Sequence, residues 1–325
     1  MSEQPTFEVR LTPADLTRAL RADVVAGLTA RPKWLRPTWF YDARGSMLFD
    51  EITRLPEYYP TRTERAILTE HAATIATTTD VETMVELGSG ASDKTRLLIE
   101  AGLDHGTLAH FVPLDVSESA LRAAATTLAA RYPKLALRGV VGDFTRHLDA
   151  LPDGDRRMVV FLGGTIGNLL PPERARFLAA LRAVLHPGEW LLLGTDLVKD
   201  PATLLAAYDD AAGVTAEFDR NVLRVLNREL AADFPVDDFT HVARWDPDRE
   251  WIEMRLRADR ALRTRLAALD LTVEFDAGEE LCTEVSAKFR PAGVAAELTA
   301  AGFAVADMWT DPATAFAVTL ARAVP

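Results

Sequence analysis

From residue 81 onward the chain alternates short, nearly unbroken apolar runs with longer segments whose apolar positions recur every three or four residues. The short runs occupy 81–87, 109–114, 136–141, 158–162 and 189–195, the last launched by a His186-Pro187-Gly188 turn. Runs of that length without polar alternation are strands of a parallel sheet buried on both faces. The segments between them, 94–101, 117–131 and 172–185, have helical periodicity, and Pro171-Pro172 with Glu173 marks the start of the last. This alternation predicts an α/β fold with a doubly wound sheet. After a further helix over 291–301 come two strand-like runs, 303–308 and 315–320, parted by a Thr310-Asp311-Pro312 turn. The sheet is therefore expected to end in an antiparallel hairpin.

Two regions do not follow this pattern. Residues 1–60, and 199–287 with helical patterns at 201–212 and 219–232 and alternating segments at 251–256 and 281–287, read as a second, smaller α+β domain. The expected division is a core of 61–198 and 288–325, and a substrate-binding domain of 1–60 and 199–287. A domain inserted there belongs over the C-terminal edge of the sheet, where open α/β sheets bind ligands.

Composition narrows the function. With 325 residues, 48% hydrophobic and 26% charged, the chain can bury a substantial core. A single cysteine, Cys282, excludes an internal disulfide, and residues 1–10 hold no apolar leader, so a reducing, cytoplasmic setting is expected, with the protein a monomer. The longest apolar stretch, 158–170, is short of the ~20 residues that span a bilayer. A net charge of −12 repels a phosphate backbone, so nucleic acid is not the expected partner. The local exception is 31–44, where Arg31, Lys33, Arg36 and Arg44 alternate with Trp34, Trp39, Phe40 and Tyr41, a mixture that could grip a single strand or simply pack on the main domain. The six histidines are scattered without a His-x-x-x-His pair, so no metal is expected, and no Gly-x-Ser-x-Gly elbow supports a hydrolase.

The richest segment is Glu86-Leu87-Gly88-Ser89-Gly90, which leaves a strand and enters a helix at Lys94-Thr95. Two glycines allow a tight turn and close approach of a ligand to the backbone. A dinucleotide loop wants a third glycine where Asp93 stands, and the phosphate loop Gly-x-x-x-x-Gly-Lys-Thr matches residues 88–95 except at the same Asp93. An aspartate beside phosphates adds repulsion. S-adenosylmethionine, cationic and free of phosphate, suits the acidic loop better. Asp115 ends the second strand and can accept from both ribose hydroxyls; Asp143 ends the third and can accept from the adenine amino group, with Phe144 offering an apolar face. Each acid read singly is more often a helix cap or a surface acid, and it is the run of consecutive strand ends carrying suitable residues that shifts the reading. The fourth strand end, Gly163-Gly164-Thr165-Ile166-Gly167-Asn168, finishes in an amide that would face the sulfonium methyl and could fix an amine or a carboxylate. A terminal hairpin also favours a Rossmann-like methyltransferase over a dehydrogenase.

The run from Tyr41 through Glu64, with Gly45-Ser46-Met47-Leu48-Phe49-Asp50-Glu51-Ile52 at its heart, closely resembles the L-histidine Nα-methyltransferases of ergothioneine biosynthesis. The Glu86–Lys94 loop, Gly163–Asn168 and Glu284-Val285-Ser286 extend the resemblance nearly end to end. It implies three transfers from S-adenosylmethionine to the α-amine of L-histidine, giving hercynine. It also implies cofactor binding by Gly88, Lys94, Asp115, Asp143 and Phe144, to which the loop reading adds Glu86, Ser89 and Gly90. Histidine binding falls to Tyr58, Asn168, Tyr208, Glu284, Val285 and Ser286, with Tyr41 nearby and Tyr41, Tyr58 and Asn168 positioning the amine. Glu284 and Ser286, two apart on an alternating segment, share one face and could engage the two nitrogens of an imidazole. Met254 could wall the ring, or be plain core. Two other readings stand beside this one: a methyltransferase of the same fold acting on another amino acid such as tryptophan, and a nucleotide-binding regulatory module using the near-phosphate loop.

Overall fold

The computed structural model describes residues 4–90, 94–154 and 156–325. The chain forms two compact units, one of Met1–Leu11, Pro60–Val198 and Phe289–Pro325, the other of Thr12–Tyr59 and Lys199–Lys288. Among the described residues the strands are β1 (Thr6–Val9), β2 (Lys33–Trp34), β3 (Thr83–Leu87), β4 (His110–Asp115), β5 (Ala136–Val141), β6 (Arg157–Phe161), β7 (Trp190–Asp196), β8 (Phe239–Asp246), β9 (Trp251–Ala258), β10 (Leu262–Leu266), β11 (Leu271–Phe275), β12 (Glu280–Ala287), β13 (Phe303–Thr310) and β14 (Phe316–Ala323).

In the first unit eight strands run in the order β1-β5-β4-β3-β6-β7-β14-β13. From β1 to β7 the neighbours are parallel; β14 and β13 close the sheet antiparallel, as the terminal hairpin pattern implies. The sheet is doubly wound: the chain builds outward from β3 through β4 to β5, then returns to the other side of β3 for β6 and β7. Every residue of β6 and β7 is buried, which is why these stretches read as unbroken apolar runs. The one charge within β6, Arg157, is admitted because Glu189 grips it through both oxygens, at 2.7 and 2.6 Å.

The sequence division assigned all of 1–60 to the second domain. The structure moves the first residues into the core unit, because Thr6–Val9 pairs in parallel with Arg138–Val141 at the sheet edge. Four residues with mixed burial are too short a run to announce an edge strand. A long helix, Tyr59–Thr79, was also unforeseen: its Ile67, Leu68, Ala72 and Ile75 are buried in the sheet's core with Val160, Leu192 and Phe316, but many threonines dilute its periodicity.

The second unit carries a four-stranded sheet, β2-β12-β9-β8, and the separate β10-β11 hairpin. The helix Val214–Glu229 lays Phe218, Val222, Leu223, Val225 and Leu226 inward. Phe218 stacks obliquely on Phe40 at 4.6 Å, and Phe239 meets Phe275 edge-on at 5.4 Å. Residues 31–44 are largely built into this unit: Lys33 is buried and ion-paired with Glu279, Phe40 is fully buried, and Trp39 Nε1 donates to Asp23.

Candidate active site

In the first unit the site residues gather where the strand order reverses, between β3 and β6. The C-terminal ends of these neighbours carry the two glycine loops. Gly88 and Gly90 take φ of +67° and +49°, and Gly163 and Gly164 take +79° and +69°, conformations that favour glycine. The backbone N–H groups of Gly88 and Ser89 donate to the Leu114 carbonyl at 2.8 and 3.2 Å, and that of Gly90 to Asp115 Oδ2 at 3.0 Å. Buried Glu86 closes the loop from beneath, accepting from Ser89 Oγ at 2.5 Å and from Thr95 Oγ1. The carboxylate of Glu86 thus shapes the loop. Asp93, which argued against phosphates, lies outside the described residues.

Asp115 Oδ1 also accepts from the Ser117 backbone at 2.8 Å. Loss of solvent around its carboxyl pushes the pKa up, against the pull of these backbone donors. Asp143 spends Oδ1 on its own turn, accepting from the N–H and hydroxyl of Thr145 at 2.8 and 2.7 Å. The Phe144 ring packs on Phe161 and Phe177 at 5.0 and 5.7 Å, and its edge would lie 3.9 Å from a Cβ at Gly88. The edge of that ring and the Gly88 loop are therefore neighbours. Asn168 closes a 3-10 turn over Thr165–Asn168 and is half-buried.

In the second unit β12 and β9 pair antiparallel, with Glu284 opposite Met254 and Ser286 opposite Ile252. Opposed residues share a face, so Glu284, Ser286 and Met254 lie on one side of this sheet, while Val285, opposite Glu253, points to the other. A register shift between Cys282 and Glu284 interrupts the ladder just before them. The Tyr208 hydroxyl lies 2.8 Å from Ser286 Oγ, and the Tyr58 ring meets Tyr208 edge-on at 6.5 Å. Tyr41 packs edge-on to Phe49 and Phe218 and remains 39% exposed. One unit thus brings together Tyr58, Tyr208, Ser286, Glu284 and Met254, the other the glycine loops with Asp115, Asp143 and Phe144.

A family described as histidine-specific, S-adenosylmethionine-dependent methyltransferases matches residues 20–323. This chain belongs to that family. It is 58% identical over 303 residues to a histidine N-alpha-methyltransferase of Mycolicibacterium smegmatis, covering 93% of this chain and 94% of the relative. The same identity and coverage relate it to the Mycobacterium tuberculosis protein of that description. An ergothioneine biosynthesis protein 1 of Neurospora crassa is 35% identical over 60% of this chain and 23% of its own length. S-adenosylmethionine is therefore the cofactor of this methyltransferase, and the nucleotide-module reading of the near-phosphate loop falls away.

The methyltransferase holds three groups that sequence reasoning passed over. Glu64, from the helix Tyr59–Thr79, is fully buried, accepts the Gly163 N–H with both oxygens at 2.9 and 3.0 Å, and is ion-paired with Lys94. It ended the recognised run of residues 41–64 but was given no role. Lys288 is buried beside Ser286; extending the alternation of 284 and 286 by one step would have found it. His241 is buried between Asp219, at 2.6 Å from Nδ1, and the Tyr208 carbonyl, at 2.8 Å from Nε2. No sequence spacing links 208, 219 and 241.

Proposed function

We propose that this methyltransferase transfers three methyl groups in succession from S-adenosylmethionine to the α-amino nitrogen of L-histidine, giving hercynine, the first step of ergothioneine synthesis. The observation that carries the reading is Glu284 and Ser286 on one face of β12, with Met254 opposite Glu284 and Tyr208 bonded to Ser286. A carboxylate and a hydroxyl one strand-repeat apart fit the two nitrogens of an imidazole, and the methionine walls an apolar ring face. The mycobacterial relatives, named as histidine N-alpha-methyltransferases, support the same substrate.

On the cofactor side, Gly88, Ser89 and Gly90 supply backbone, Asp115 the ribose acceptor, Asp143 the adenine acceptor and Phe144 the ring face, with Lys94 and Glu86 holding the loop. In each transfer the amine lone pair forms a bond to the sulfonium methyl carbon as the carbon–sulfur bond breaks, leaving S-adenosylhomocysteine; the amine proton passes to solvent. Tyr41, Tyr58 and Asn168 are the neutral groups that position this nitrogen. Aromatic faces tolerate the quaternary ammonium that accumulates, and no carboxylate among them holds the amine protonated. The acceleration comes mainly from positioning. The same reading makes the enzyme a cytoplasmic monomer that uses neither nucleic acid nor metal; no helix among the described residues is long and apolar enough to cross a membrane.

Incubation with S-adenosylmethionine and each of the twenty amino acids, read by mass spectrometry, tests this. Histidine alone should gain one, two and then three methyl increments; faster methylation of tryptophan would replace the substrate. Glu284→Ala should lower kcat/KM for histidine by roughly 10- to 100-fold, through loss of a charged hydrogen bond of ~1.5–3 kcal/mol. An unchanged value removes Glu284 from the pocket.

A further inference from the structure

Lys288 is 4% exposed, and its Nζ donates to the Tyr208 hydroxyl at 2.8 Å and to Ser286 Oγ at 2.9 Å while lying 4.5 Å from the Tyr208 ring centre. The two hydroxyls are themselves 2.8 Å apart, so the three groups close a triangle inside the second unit. An ammonium can only donate. Each hydroxyl therefore accepts from Lys288, and one of the two also donates to the other. Of the two hydroxyl protons, one is consumed within the triangle. The other must be directed out of it, whichever hydroxyl carries it. Of the pair's four lone pairs the mutual bond fills one and the buried ammonium two, so Lys288 leaves one outward proton against a single lone pair and tilts toward donation a pair that on its own would mainly accept.

Glu284, one strand-repeat before Ser286 on the same face, is an acceptor when ionised. A pair biased toward donating next to an acceptor is complementary to a neutral imidazole, which offers one N–H and one lone pair. An imidazolium offers two donors, and an indole or thiophene ring offers no nitrogen acceptor at all. We propose that Lys288 is a specificity-determining positioning residue: by taking a lone pair from each of Tyr208 and Ser286 it biases the pair toward donating, so the pocket favours a ring with an accepting nitrogen. The proposal rests on the reading of Glu284 and Ser286 as ring-binding residues, and it adds the reason why their hydroxyl partner rejects other rings.

The test uses the full chain with Lys288→Met, Lys288→Arg and Ser286→Ala. KM and kcat are measured for histidine and S-adenosylmethionine, and kcat/KM for 3-(2-thienyl)alanine, a five-membered-ring analogue without either nitrogen. Lys288→Met should raise the KM for histidine roughly tenfold and shrink the preference for histidine over the thienyl analogue by a similar factor, leaving the KM for S-adenosylmethionine unchanged. Lys288→Arg, which still donates, should retain most of the preference. If Ser286→Ala raises the histidine KM while Lys288→Met alters neither KM nor preference, the role of Lys288 is refuted and the pocket stands. If Ser286→Ala also leaves histidine binding intact, the pocket itself is wrong. A parallel loss of histidine and S-adenosylmethionine binding in Lys288→Met would reduce the lysine to a folding role and overturn the proposal.

Discussion

Glu64→Gln is the most informative single change in the cofactor half of the enzyme. The carboxylate ties together three strand ends: it grips the Gly163 N–H beyond β6, pairs with Lys94 after the Gly88 loop of β3, and packs where Gly194 of β7 has no side chain. An ideal Cβ at Gly194 would lie 2.0 Å from Glu64 Oε1, so the glycine is what admits the carboxylate. The amide keeps an acceptor for Gly163 but deprives Lys94, 19% exposed, of its counter-charge. Breaking a buried pair costs ~3–5 kcal/mol, and the residual solvent at Lys94 sets the lower end, about 3 kcal/mol. At roughly 2 °C per kcal/mol for a chain of this size, Tm should fall by ~6 °C. Because Lys94 and Gly163 flank the glycine loops, affinity for S-adenosylhomocysteine should fall about tenfold by titration calorimetry, equivalent to ~1.4 kcal/mol. Gly194→Ala should reproduce both effects with the carboxylate still present, since its methyl group displaces Oε1 or shifts a strand buried along its whole length. The double variant should then lose less than the sum of the two. A Gly194→Ala enzyme with unaltered Tm and unaltered affinity would refute the clamp.

Three further outcomes follow from buried charges. His241 faces an acceptor at each nitrogen; burial lowers its pKa, but the Asp219 carboxylate and the Tyr208 carbonyl outweigh it and the net shift is upward from 6.5. Its stabilisation is therefore complete below that unfolded value and lost as pH rises through the higher folded one, so the Tm gap between the unaltered enzyme and His241→Gln should be widest in acid and close in alkali; a gap constant with pH would contradict the ion pair. Asp115, with its pKa raised by burial, accepts from both ribose hydroxyls at full strength only when ionised, so affinity for S-adenosylhomocysteine should rise with pH through that raised pKa, and Asp115→Asn should flatten the dependence. Glu189→Gln, which strands Arg157 at the opposite end of β6 from Gly163, should lower stability by ~3–5 kcal/mol in chemical denaturation while sparing cofactor affinity.

What could be read from the sequence follows the range of the interactions involved. The parallel strands were legible because burial on both faces leaves an unbroken apolar run, and the cofactor loop because its glycines, Glu86 and Lys94 sit within nine residues of one another. Asp115, the last residue of β4, and Asp143, two residues past β5, were legible by their position after a strand. Glu64, His241 and Lys288 were not, since each acquires its role from a partner that only folding supplies: Gly163 lies 99 positions from Glu64, Asp219 22 from His241, and Tyr208 80 from Lys288. Edge strand β1 escaped for a different reason. It borrows its partner from β5, and four half-exposed residues carry no period of their own.

Half-buried Lys94 and buried Lys288 show how the same ionic group is put to opposite uses. Lys94 meets a carboxylate that also holds Gly163, so the pair adds almost no net charge beside loops that must receive a sulfonium cation. An unopposed ammonium there would repel a sulfonium bound in the proposed site, since unit charges a few ångströms apart interact by several kcal/mol at the dielectric of a partly buried site. Lys288 donates to two hydroxyls, and in the proposed role it tilts Tyr208 and Ser286 toward donating by taking a lone pair from each. That suits a pocket whose ligand must present an accepting nitrogen. Exchanging the two environments would defeat both functions: a carboxylate beside Lys288 would absorb its protons and free the hydroxyls to accept, and a neutral residue at Glu64 would leave a cation facing a cation. On this argument Glu64→Gln should weaken S-adenosylmethionine, which carries the sulfonium charge, more than it weakens neutral-sulfur S-adenosylhomocysteine. Equal weakening of the two would show that Glu64 acts through loop geometry alone.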